Sequence, residues 1–155
     1  MLKINSALLE DLTRQAKLST RKRKNLNFHK SDSDTLQRMM NAMEPGTYVH
    51  PHKHVNPDKR EVFILLKGRI AVVEFDDAGS ISDKIILDHK TENYAAEIVV
   101  KSWHTVISLE QGSVYYEVKD GPYEQETDKV FAPWAPEEDS LEVTGYLDHL
   151  VKKLF

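Results

Sequence analysis

Between Gly46 and Gly68 the chain reads GTYVHPHKHVNPDKREVFILLKG, four ligand-type side chains followed by an apolar strand. His52 and His54 are two residues apart. In extended backbone, positions i and i+2 share a face, so both imidazoles can reach one ion. His50 falls on the same face. Pro51 and strand curvature set it apart as a cavity residue or reserve ligand. After a turn carrying Asn56, Pro57 and Asp58, Glu61 opens the run Val62-Phe63-Ile64-Leu65-Leu66, which reads as a buried strand. Two nitrogens and a carboxylate oxygen on neighbouring strands make most of a transition-metal site. Asp58 is a rival to Glu61 for the carboxylate. The fourth ligand is expected from Trp103-His104-Thr105, at the head of the β-like segment Thr105–Ser108. His89 and His149 fall outside the pattern.

Composition narrows the chemistry. There is no cysteine, so disulfides and thiolate sites are excluded, and a metal must be held by histidine and carboxylate. The formal net charge of −4 disfavours bulk binding to nucleic acid or an anionic membrane. No stretch resembles a signal peptide or reaches transmembrane length, which gives a cytoplasmic expectation. At 155 residues, a single domain is expected.

Outward from the ligand stretch, short strands dominate. Leu36–Met43 precedes it, closed by the turn Glu44-Pro45-Gly46-Thr47. Val62–Leu66, apolar on both faces, calls for cover outside as well as a core inside. Arg69–Phe75 and Ser82–Leu87 form a hairpin around Asp76–Ser80. Tyr94–Val100, Val106–Leu109 and Val114–Val118 follow, with Glu117 and Lys119 read as solvated. Roughly eight to ten strands at these spacings argue for a closed or two-sheet β fold. Asn25-Leu26-Asn27-Phe28-His29 alternates, and its polar face, Asn25, Asn27 and His29, faces either solvent or a cavity. There its amides and imidazole would suit a polyhydroxylated ligand. The basic run Arg21–Lys24 is either a solvated loop or a phosphate clamp. Ser6–Lys17 reads as an amphipathic helix capped by Asn5 or Ser6. From Asp120 the chain turns Pro- and aromatic-rich. It reads as a tail anchored by Tyr123, Phe131 and Trp134, or as a lid. A second helix is expected over Glu138–Leu154.

The spacing Gly46, His52-Lys53-His54, Glu61, Gly68 resembles the first motif of the cupin superfamily. The six residues from Glu61 to Gly68 fit that family and favour Glu61 over Asp58. The second cupin motif matches at His104, although Val99, Lys101 and Ser108 replace its usual Pro, Gly and Asn. Nearly the whole chain, through RKRKNLNFH (21–29), LQRMMNAMEPGTYVHPHKH (36–54) and EVKDGPYEQETDKVFAPWAPEE (117–138), resembles the WbuC-type cupin-fold metalloproteins, with Arg60 in place of a usual Trp.

The resemblance implies a mainly β jelly-roll barrel with short N- and C-terminal helices. Its expected parts are a helix over residues 1–20, a barrel over 21–119 and a wrapping tail and helix over 120–155. It implies one divalent transition metal (Mn, Fe, Ni or Zn) on His52, His54, Glu61 and His104. The substrate-contacting set would be Arg23, Asn25, Asn27, His29, Tyr48 and His50. It further implies a link to bacterial surface-polysaccharide (O-antigen type) biosynthesis, from which a small metal-dependent enzyme acting on a sugar or sugar-nucleotide intermediate is expected, or else a non-catalytic sugar-binding or regulatory cupin with a structural metal. A homodimer is expected from the cupin resemblance and the two-sided strand.

Overall fold

The computed structural model describes residues 1–155. Ten strands build two antiparallel five-stranded sheets. One contains β1 (Arg23–Asn27), β2 (Leu36–Met43), β4 (Glu61–Lys67), β7 (Ala95–Ile98) and β9 (Ser113–Asp120), in the order β1-β2-β9-β4-β7. The other contains β3 (His52–Lys53), β5 (Arg69–Phe75), β6 (Ile81–Asp88), β8 (Trp103–Ser108) and β10 (Val130–Phe131), in the order β10-β3-β8-β5-β6. The two sheets face each other as a jelly-roll barrel, flanked by helices α1 (Ser6–Leu18) and α2 (Val143–Leu154).

Period-two alternation sorts the apolar residues into three layers. Between the sheets lie Met43, Phe63, Leu65, Ile70, Val72, Leu87, Ile98, Val106 and Tyr115. The outer face of the first sheet (Met40, Ala42, Val114) packs under α1 through Leu12 and Ala16. The outer face of the second (Ala71, Val73, Phe75, Trp103, Ile107) packs under α2 and the tail through Leu147, Leu150, Leu154, Ala132 and Ala135. Asn5 caps α1 by accepting from the Leu8 N–H at 3.1 Å.

Two expectations change here. The strands covered on both faces are β5 and β8, which lie next to each other inside the second sheet, not Val62–Leu66. In β4 only Glu61, Phe63 and Leu65 are buried, and Ile64 is 37% exposed. The second helix also starts later, at Val143, because Leu141 is fully exposed and Glu138 is committed to an ion pair with Arg21 and Arg23. No helix is long and apolar enough to cross a membrane.

The β4–β5 turn is tight because Gly68 adopts φ +78°, and a Cβ there would lie 2.5 Å from Ser113 Oγ and 2.8 Å from Ser113 Cα. Both left-handed strain and a backbone clash oppose any larger residue. Gly68→Ala is expected to cost about 2 kcal/mol or more, read as a lower urea midpoint with an unchanged slope.

Candidate metal centre

The two sheets bring the ligand-type residues together. His52 pairs directly with His104 across β3 and β8, so their side chains leave on the same side. Glu61 opens β4 in the opposite sheet, and His54 follows β3. All four are buried, and their ligand atoms lie within 4.8 Å of one another. Asp58 is not among them; it pairs with Lys101 at 3.2 Å.

Backbone carbonyls fix the three imidazoles. His52 Nδ1 donates to the His50 carbonyl at 2.9 Å, His104 Nδ1 to Ser102 at 3.0 Å, and His54 Nδ1 to Asp128. With Nδ1 carrying the proton, each Nε2 presents a lone pair. His104 Nε2 sits 2.9 Å from Glu61 Oε2, where a proton or a cation must lie between them. His54 Nε2 is 3.3 Å from the same oxygen but is not aligned for a hydrogen bond, and His52 Nε2 has no partner either. Orphaned buried polar atoms cost about 1–3 kcal/mol each. One cation at the centre would satisfy all four ligands, and the set of three nitrogens and one carboxylate oxygen suits a borderline divalent ion.

The electrostatics agree with a cation site. Burial, the largest influence on Glu61, favours its neutral form, but His104 and His54 hold its carboxyl well below the usual range. Burial keeps His52 neutral well below the usual imidazole range, with Lys129 and His104 adding to the effect. Glu117 is pushed up to about 8 by burial and then by the charge of Glu61.

Glu117 and Lys119, read from sequence as solvated, are 9% and 4% exposed. Register explains this: Glu61 pairs with Lys119 and Phe63 with Glu117, so Tyr115, Glu117 and Lys119 line the interior. Their polarity resembles that of a solvent face, but they floor a cavity. Glu117 Oε2 accepts from Asn41 Nδ2 at 2.8 Å. Lys119 Nζ reaches Asp128 Oδ2 at 2.8 Å, and Lys59 Nζ reaches Asp128 Oδ1 at 2.5 Å. Sequence reasoning missed Lys59, Asp128 and Lys129 entirely. For Asp128 and Lys129 the available signal was the charged stretch inside the Pro- and aromatic-rich tail.

The cavity floored by this face has a volume of about 440 Å³, and Arg23, Asn25, Asn27 and His29 all line it. Asn25 Nδ2 donates to Asn27 Oδ1 at 2.8 Å. Tyr48 and His50 are placed elsewhere. Tyr48 OH donates to the Pro136 carbonyl at 2.8 Å, and His50 Nε2 lies 3.1 Å from the Ala132 carbonyl. Both hold the tail against the barrel. Arg21 and Arg23 grip Glu138 at 2.7 and 2.8 Å, so an acid of the chain already occupies the proposed phosphate clamp. Of the tail anchors, Trp134 packs on Phe75 and Trp103. Phe131 is 53% exposed and covers His50 with a centroid separation of 4.9 Å.

No curated protein matches the sequence significantly. Solved structures share the fold at low identity. KdgF from Halomonas sp. superposes with a TM-score of 0.51 at 14% identity, over 67% of this chain and 83% of its own. CapF from Staphylococcus aureus, a capsular polysaccharide assembling protein, gives 0.53 at 19%, over 69% of this chain and 28% of its own. Oxalate oxidase in complex with glycolate gives 0.53 at 14%, over 74% of this chain and 57% of its own. These are cupin-fold proteins, and the likeness shows the barrel fold of this chain. A family model described as Domain of unknown function (DUF6016) matches residues 4–87, a span containing His52, His54 and Glu61. That match covers more than half of the 155 residues, and the chain belongs to this family, built on a cupin-type barrel.

Proposed function

We propose that the protein is a small metal-dependent enzyme acting on a sugar or sugar nucleotide, of the kind assembled into bacterial surface polysaccharide. The observation that carries the metal is the convergence of three Nε2 lone pairs and the Glu61 carboxylate, two of the nitrogens having no other partner. Mn, Fe, Ni and Zn all accept this ligand set. When bound, the ion supplies Lewis-acid polarisation of a substrate oxygen. Lys59 and Lys119 hold Asp128, whose carbonyl orients His54, and Glu61 stays ionised between its histidines. Asn25, Asn27, Asn41 and His29 offer amide and imidazole donors and acceptors along the cavity, suited to several hydroxyl groups. The WbuC-type resemblance of residues 21–29, 36–54 and 117–138 supports the polysaccharide setting, and one fold relative, CapF, is a capsular polysaccharide assembling protein.

Elemental analysis of protein purified without a metal-affinity column tests the centre, alongside His104→Ala and Glu61→Ala. The expected result is about one ion per chain in wild type and near none in either variant. Wild type that stays empty when offered Mn, Fe, Ni and Zn would refute it. Turnover across a panel of sugar nucleotides, lost in Glu61→Ala, is expected for the enzyme. Binding without turnover would instead indicate a sugar-binding protein.

A further inference from the structure

The cations near the centre, Lys59 and Lys119 buried and Lys129 half-buried, are not equally matched. Lys59 and Lys119 share the Asp128 carboxylate, and Arg23 holds Glu138. Lys129 lines the same cavity and has no carboxylate in ion-pair range and no hydrogen-bond acceptor. It directly follows Asp128 and precedes β10, where Phe131 pairs with His52. Alternation along that extended segment turns residues 129 and 131 to the same side. Lys129 shares the lining of that cavity with Glu117 and Lys119.

A half-buried ammonium with no partner on the cavity wall is a ready counter-charge for an anionic ligand. Burial holds the Lys129 ammonium below its usual range, ahead of the opposing pull of Glu61. A divalent ion on the ligands would sharpen the imbalance. Against it and Lys59, Lys119 and Lys129 stand the carboxylates of Glu61 and Asp128, and the interior stays positive whether or not Glu117 carries its proton. The chain as a whole is negative, at −4, so this positive interior is local. At the far end of the same cavity Arg21 and Arg23 are balanced by Glu138 and Asp32.

We infer that Lys129 binds an oxyanion carried by the ligand of this cavity, which makes the substrate an acidic polyhydroxy compound, a sugar bearing a carboxylate or a phosphate. This deepens the metal-site reading above and rests on it for the position of the reacting end. The amide-lined wall takes the hydroxyls, Lys129 takes the charge near the centre, and a neutral sugar leaves the ammonium unmatched.

The test titrates wild type, Lys129→Met and Lys129→Arg by calorimetry after their ion content has been measured. The ligands are glucose and galactose, the matching uronates, and the matching 1-phosphates. Wild type is expected to bind one acid class at least about tenfold more tightly than the neutral sugars. Lys129→Met should lose that preference while keeping its ion and melting no lower, since methionine removes an unmatched charge and keeps the length of the side chain. Lys129→Arg should retain the preference. Uronate against phosphate identifies the oxyanion. Equal binding of neutral and acidic sugars, an undiminished preference in Lys129→Met, or no binding of any acid would overturn the inference. A wild type that lacks metal yet prefers the acids would keep the anion site and refute the metal reading instead.

Discussion

Asp128→Asn is expected to destabilise the folded chain by about 3–5 kcal/mol, the range for breaking a buried ion pair from one side. Asp128 is 2% exposed and is the only carboxylate paired with both Lys59 and Lys119. Removing its charge strands two ammonium groups in the interior, and asparagine offers each a weaker, uncharged partner. For a chain of this size each kcal/mol moves the melting point by about 2–4 °C, so a drop of roughly 10 °C or more should be visible. The pH dependence carries a matching signature. Burial, the largest influence, would raise the Asp128 carboxyl, but Lys119 and Lys59 outweigh it and hold the group below the usual aspartate range. The folded state therefore binds this proton less readily than the unfolded chain, whose aspartates titrate near about 3.9. The stabilisation is complete above that value and is lost as pH falls through the lower folded value. Urea unfolding between pH 7 and pH 2 should show wild type losing this contribution in acid and Asp128→Asn lacking it throughout. Equal stability at pH 7 would mean the network contributes nothing.

Stripping the metal should have the second large effect. An ion that binds only the folded centre stabilises by about 4 kcal/mol when free ion exceeds its dissociation constant a thousandfold. The melting point is then expected to fall by roughly 10 °C with chelator and to recover when the ion is returned. His104→Ala should melt at the same temperature with and without the ion, because it removes one ligand and the group that bridges to Glu61. A wild type indifferent to both chelator and ion would show that the four side chains hold each other without help.

The ligand quartet was legible because its signal is local or follows a simple period. His52 and His54 alternate on one short stretch, Glu61 heads a strand, and His104 heads another. The β class and the hairpin around Asp76–Ser80 follow from the same periodicity. Glu117 and Lys119 were not legible, because alternation shows that a strand has a polar face but not which way that face points. Only the pairing of β9 with β4 and β2 turns it inward. Likewise the doubly covered strand was misplaced. Val62–Leu66 is as apolar as the stretch within Arg69–Phe75, but α2 and the tail lie over the second sheet, not over β4. Tyr48 and His50 were drawn toward the cavity by their nearness to the ligand stretch. Carbonyls more than eighty residues away, at Ala132 and Pro136, claim them instead.

The Asp128 carbonyl that fixes His54 lies far along the chain from the ligand it serves. A ribosome delivers His52, His54, Glu61 and His104 well before it delivers Asp128, Lys129 and β10. Until those later residues emerge, His54 has no acceptor to set its tautomer, and β3 lacks one of its two neighbours. An ion bound through the finished centre would therefore be captured only after residues 128–131 have been made. A nascent chain meets cellular ions with only a loose set of histidines, and ion selection falls to the folded protein.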